Sequence, residues 1–153
     1  MKMVISLLCL ATLIGFGCKP TEAKVDVPAA VLAKFNTLYP DVKNAKWEKE
    51  ENRYDAEFKV NGVETEVQFQ PDGNLFLTET EIEVSALPAG VTDYVNQNMP
   101  GKKITEASKL VSVDGIVTYE AEVDHTDYIF DGTGVFISKE VEDEKGEKGE
   151  DDK

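Results

Sequence analysis

Apolar and polar residues alternate with a period of two along much of this chain, and the alternation breaks at turn-forming residues. Tyr54, Ala56, Phe58 and Val60 interleave with Asp55, Glu57 and Lys59, and Val63, Thr65, Val67 and Phe69 interleave with Glu64, Glu66 and Gln68. Further on, Val117, Tyr119, Ala121 and Val123 interleave with Thr118, Glu120 and Glu122. A period of two is the signature of a strand with one face buried and one facing water. Asn61-Gly62 stands between the first two runs. It is a strong hairpin signal, because a type I′ turn needs positive φ at both central residues. With turns at Glu51-Asn52, Pro71-Asp72-Gly73, Asp114-Gly115, Asp124-His125 and Asp131-Gly132-Thr133, the pattern predicts strands over 46–50, 54–60, 63–69 and 74–82, then over 103–113, 115–123, 126–130 and 134–140.

Two segments follow a different period. VPAAVLAKFNTLYP at 27–40 aligns without a gap on LPAGVTDYVNQNMP at 87–100. Apolar residues at 31, 32, 35, 38 and 39 share one face of a helix, and proline is tolerated in a first helical turn. Pro40 and Pro100 then end the helices. The chain therefore runs through one unit twice, over 27–83 and 87–141, each a helix followed by a four-stranded meander. The predicted fold is α+β, a single domain over 27–141 with an antiparallel sheet of about eight strands and both helices packed on one face. YDAEF at 54–58 returns as YEAEV at 119–123, in the same strand of the second unit. The repetition makes it an architectural element before it is anything chemical.

The ends have other roles. Residues 1–17 carry one charge, Lys2, and an apolar run from Met3 to Phe16, which is a secretory signal too short to span a membrane. Gly15, Phe16, Gly17 and Cys18 resemble a bacterial lipobox, in which the cysteine becomes the lipidated first residue; Gly15 departs from the usual aliphatic, and a conventional signal-peptidase cut remains the alternative. Residues 18–26 are then a tether. Cys9 falls in the signal, so disulfides, thiol chemistry and cysteine metal sites are excluded from the mature domain. EVEDEKGEKGEDDK, from Glu140 onward, holds eight acids and three lysines, and 142–153 reads as a disordered acidic tail.

The net charge is −14, and loss of Lys2 with the signal leaves −15. Such a surface repels phosphate backbones and anionic headgroups, which argues against nucleic acid as a partner and leaves membrane contact to the lipid alone. Alternation places Asp55, Glu57, Glu64, Glu66, Glu120, Glu122 and Asp127 on the face away from the helices. If Phe69 and Phe130 correspond through F-x3-G, then Phe76, Ile129 and Ile137 share that open face.

Asp55 and Glu57 stand about 7 Å apart as i and i+2 on a strand, a spacing that inverting glycosidases use. As solvated carboxylates they would keep similar pKa values, and acid/base work needs values pushed apart. His125 is the only histidine and sits in a predicted turn, which is weak support for a metal. No D-x-D-x-D-G calcium loop, G-x-S-x-G, P-loop or G-x-G-x-x-G element occurs. Trp47 is read as sheet packing, with an interface anchor as the alternative. No catalytic set and no cofactor site are expected.

The lipobox-like signal, the V/L-P-A-x-V helices ending in Pro, the Y-D/E-A-E strands, the NGVETEVQF hairpin and the F-x3-G turns resemble the PepSY-like family of secreted Bacteroidetes proteins, also described as β-lactamase-inhibitor-like. The resemblance covers residues 26–141. It implies a concave eight-stranded sheet with helices on one side, and no established activity. The expected function is a non-enzymatic, lipid-anchored envelope module that meets a protein or peptide partner through its acidic open face. Inhibition of a hydrolase or peptidase and binding of calcium or another cation are the alternatives.

Overall fold

The computed structural model describes residues 25–141. The signal, Cys18 and the acidic tail lie outside the described residues. Helix α1 (Ala29–Leu38) is followed by strands β1 (Lys46–Glu50), β2 (Arg53–Val60), β3 (Val63–Phe69) and β4 (Leu75–Glu81). A short 3-10 turn (Val84–Ala86) leads to α2 (Ala89–Asn98), then to β5 (Glu106–Ser112), β6 (Val117–Val123), β7 (Thr126–Asp131) and β8 (Phe136–Val141). The strands form one antiparallel sheet in sequence order, β1 to β8. The alternation predicted this architecture strand for strand.

The two units agree to within a few degrees at their helix ends. Pro28 and Pro88 occupy the N-cap at φ −55, ψ 143 and φ −55, ψ 142, one residue earlier than the first helical position expected from sequence. Their carbonyls accept the N–H groups of Leu32 and Val91 at 3.1 and 3.0 Å. Tyr39 and Met99 close the helices by donating to Phe35 and Val95, both at 2.8 Å. Strands β5 and β6 both begin later than the sequence suggested; the late start of β6 follows from the turn that Ser112 organises, where Gly115 N–H donates to its carbonyl at 2.9 Å and Ile116 N–H to its Oγ at 3.2 Å.

Each helix covers its own core. Val31 and Phe35 pack on Tyr54, Ala56, Phe58, Val67 and Phe69, whereas Leu87 and Val91 pack on Ala107, Ala121 and Phe130. Aromatic rings dominate both cores. Phe35 meets Phe58 edge-on at 5.2 Å and Trp47 at 5.1 Å, and Tyr94 stacks on Phe136 at 4.8 Å. Trp47 is therefore a packing residue.

The F-x3-G motif does the same work twice. Phe69 and Phe130 are fully buried, the register slips by a bulge beside each, and a glycine follows with φ +88 at Gly73 and +89 at Gly134. A Cβ at Gly73 would lie 2.7 Å from the Ala30 carbonyl oxygen, and Gly134 lies against Gly90 and Pro88 at the start of α2. These turns seat the helix N-termini, so α1 and α2 both begin at the same end of the sheet. That end, with the β1–β2, β3–β4, β5–β6 and β7–β8 turns, is called the near end; the β2–β3 and β6–β7 turns mark the far end.

Candidate functional site

The ladder fixes which side chains share the open face. Glu57 pairs with Glu66, Glu66 with Glu79, Lys59 with Glu64 and Asp55 with Gln68. In the second unit Glu106 pairs with Glu122, Glu122 with Asp127 and Glu120 with Ile129. All seven acids expected on this face stand on it, joined by Glu79, Glu81 and Glu106. Side chains on adjacent strands stand only about 5 Å apart, so this packing of like charge opposes folding wherever the groups ionise.

Over the far half of this face lies a hollow of about 280 Å³, lined by nine carboxylates contributed from β2 to β7. Glu57, Glu64 and Glu66 come from the first unit, Glu120, Glu122 and Asp127 from the second, and Glu79, Glu81 and Glu106 from the strands that join them. No lysine or arginine is among the lining residues. Lysines approach it from the rim. Lys46 Nζ reaches Glu48 at 2.8 Å and Glu57 at 3.6 Å, and Lys59 Nζ reaches Glu64 at 3.4 Å. His125 Nδ1 lies 3.7 Å from Glu122 on an otherwise exposed ring, in a turn with φ +52 at Asp124 and +60 at His125.

Two carboxyl groups do not behave as solvated surface acids. Burial, reinforced by the charges of Glu79, Asp127, Glu140 and Glu66, pushes Glu120 up to about 8. Burial, reinforced by Glu66 and Glu50 and opposed by Arg53, pushes Asp55 up to about 6. Asp55 is only 7% exposed and its Oδ1 has no hydrogen-bond partner. This corrects the expectation of a freely solvated acid at Asp55. Alternation places a side chain on a face, but its hydration depends on neighbours across four strands. Asp55 and Glu57, expected to be alike and to do no acid/base work, differ in setting: burial raises Asp55, Glu57 lies 3.6 Å from Lys46 at the rim, and the other raised carboxyl, Glu120, stands in the second unit.

Glu79, Glu81 and Glu106 were absent from the sequence-based set. The alternation of Thr78 and Thr80 with Glu79 and Glu81 carried the signal for two of them. Their position at the centre depends on the β4–β5 pairing, Glu79 with Leu110 and Glu81 with Ser108, which joins the units and has no local mark. The near half of the open face is less acidic: Leu77 and Leu110 stand there, and Arg53 lies over the Phe76 ring at 4.8 Å. Phe76, Ile129 and Ile137 take the face expected of them. Among the described residues, no group of three or more histidines or acids is arranged to hold a metal ion.

A family model described as "Putative beta-lactamase-inhibitor-like, PepSY-like" matches residues 18–76 and 52–138. No curated protein matches the chain. Among solved structures, a "putative periplasmic" protein from Bacteroides eggerthii is similar at TM-score 0.66 and 19% identity, over 74% of this chain and 88% of its own. A DUF2874 family protein from Bacteroides ovatus is similar at TM-score 0.65 and 18% identity, over 80% and 96%. A BLIP-like protein from Bacteroides fragilis is similar at TM-score 0.59 and 24% identity, over 74% and 85%. At these identities the neighbours speak to the fold. The family match spans most of the chain and both helix-plus-meander units, and the protein belongs to the PepSY-like family.

Proposed function

We propose that this protein is a non-enzymatic binding module of the cell envelope, anchored by lipid at Cys18, which engages a basic protein or peptide segment through the acidic hollow. The observation that carries this reading is nine carboxylates around one hollow with no basic side chain in its lining. Holding like charges together costs free energy in the empty protein, and a cationic ligand recovers it on binding. Absence of a convergent ligand set among the described residues favours a ligand with several spaced cations over a single metal ion.

The test combines titration with capture. A lysine-rich peptide titrated into the mature domain should bind with an affinity that falls steeply with salt. A Glu57→Lys, Glu66→Lys, Glu122→Lys triple variant should lose that binding. If the triple variant also captured an unchanged set of proteins from envelope extract, the acidic face would not be the docking surface.

A further inference from the structure

Beside the hollow, and sharing Glu57 and Glu66 with it, lies a smaller recess of about 120 Å³ over the first three strands. Glu48 and Glu50 of β1 form one wall, Glu66 of β3 stands on the other side, and Asp55 of β2 lies between them. Five carboxylates and Lys46 line it. Surface charge alone would not make this a binding site. Asp55 is a different kind of group, a carboxylate only 7% exposed whose Oδ1 has no hydrogen-bond partner. Buried acceptors are ordinarily paired, because leaving one without a donor forfeits its hydration for nothing.

The neighbouring donors are committed elsewhere. Arg53, two residues earlier on the same strand, carries its guanidinium over the Phe76 ring at 4.8 Å, and even its Nε is without a partner. Gln68, directly across on β3, gives its Nε2 N–H to Glu66 Oε1 at 3.1 Å. Directly across on β1 stands Glu48, a further acceptor. Lys46 keeps to the mouth, where its exposed side chain reaches Glu48 at 2.8 Å and Glu57 at 3.6 Å. The fold thus places an unsatisfied acceptor in an acidic recess and brings no donor of its own to it.

The geometry points to a single-cation subsite: we propose that the recess takes one arginine side chain of the basic segment, its guanidinium donating to Asp55 with the remaining donors turned to the wall carboxylates. A guanidinium presents five N–H donors in a planar fork, which matches acceptors standing on both sides of a slot. It is also more weakly hydrated than an ammonium, so it gives up less on entering a partly closed site. The inference rests on the reading of the acidic face as the docking surface, and adds to it the side chain that anchors the ligand and the place where it sits.

The experiment uses the mature protein and two peptides of equal length and charge, one with lysine as its only cation and one in which a central lysine is replaced by arginine. Titrated by calorimetry, the arginine peptide should bind the native protein about tenfold tighter. Asp55→Asn should reduce that preference to within about twofold, since the amide keeps the shape and removes the charge. The arginine peptide should also shift the Asp55 carboxyl-carbon resonance, a signal read on the native protein and independent of the variant's folding. Equal affinity for the two peptides, or a preference that survives Asp55→Asn, overturns the recess and leaves the acidic face as the docking surface. Binding of neither peptide overturns both. A preference lost in the variant while the native Asp55 resonance stays unmoved assigns the loss to altered packing and overturns the direct contact.

Discussion

Glu120→Gln should make the domain more stable at neutral and alkaline pH and leave it unchanged in acid. The native carboxyl is pushed from 4.5 to about 8, first by burial and then by the charges of Glu79, Asp127, Glu140 and Glu66. A group whose proton is held more tightly in the folded state favours folding fully below its unfolded value, and that contribution is lost as pH rises through the folded value. The window therefore opens near 4.5 and closes near 8. At about 1.4 kcal/mol per tenfold change in proton affinity, the upper bound is about 5 kcal/mol. Water reaches the half-buried side chain, and screening reduces the measurable effect to about 2–3 kcal/mol. Glutamine has nearly the same shape, stays neutral and donates to the surrounding carboxylates. Urea denaturation across pH 4 to 9 is the assay, because guanidinium is itself a cation that would occupy the hollow. The gain in midpoint should grow from nothing near pH 4 to about 1–2 M near pH 9. Denaturation curves separated by the same amount at every pH would refute the reasoning.

Other perturbations probe the remaining features. Asp55→Asn removes a charge whose folded value is raised to about 6, so it should stabilise by about 1–2 kcal/mol at pH 8 and lose that advantage as pH falls towards 4, read by the same curves. Gly73→Ala drives a Cβ to 2.7 Å from the Ala30 carbonyl oxygen at positive φ and should cost about 2–4 kcal/mol, whereas Gly62→Ala, with nothing within 4 Å, should cost about 1 kcal/mol; equal melting temperatures for the two variants would contradict the helix-seating role. Binding of a lysine-rich peptide should tighten as pH rises from 6 to 9 with proton release to the buffer, because the cation favours ionised Glu120; a pH-independent affinity by calorimetry would remove Glu120 from the site.

Much of this fold was legible because the hairpins are local. Asn61-Gly62 and the runs on either side of it fix β2 against β3 within a single stretch of chain, and the repeat supplies the same information again for β6 and β7. The acids at 55, 57, 64, 66, 120, 122 and 127 follow from that alternation alone. What escaped depends on distance. Glu79 and Glu81 meet the acids of the second unit only because β4 pairs with β5 across the intervening α2, and Asp55 is buried by side chains of β1 and β3 that alternation on β2 does not register.

The sheet is open, and its first edge has a consequence for solubility. An uncovered edge strand offers unpaired N–H and C=O groups to any other strand, and eight strands in sequence order leave two such edges. Strand β1 reads Lys-Trp-Glu-Lys-Glu; Trp47 and Lys49 take the helix side, with Trp47 packed against Phe35. Lys46 and Glu48 are bound to one another, while Lys49 lies over the Tyr54 ring at 5.6 Å. A strand from another molecule adding to β1 would have to lay its own side chains along this charged row, which suits solvent far better than a neighbour. Growth of the sheet into a fibre is thus discouraged at its first strand by four charges around one tryptophan.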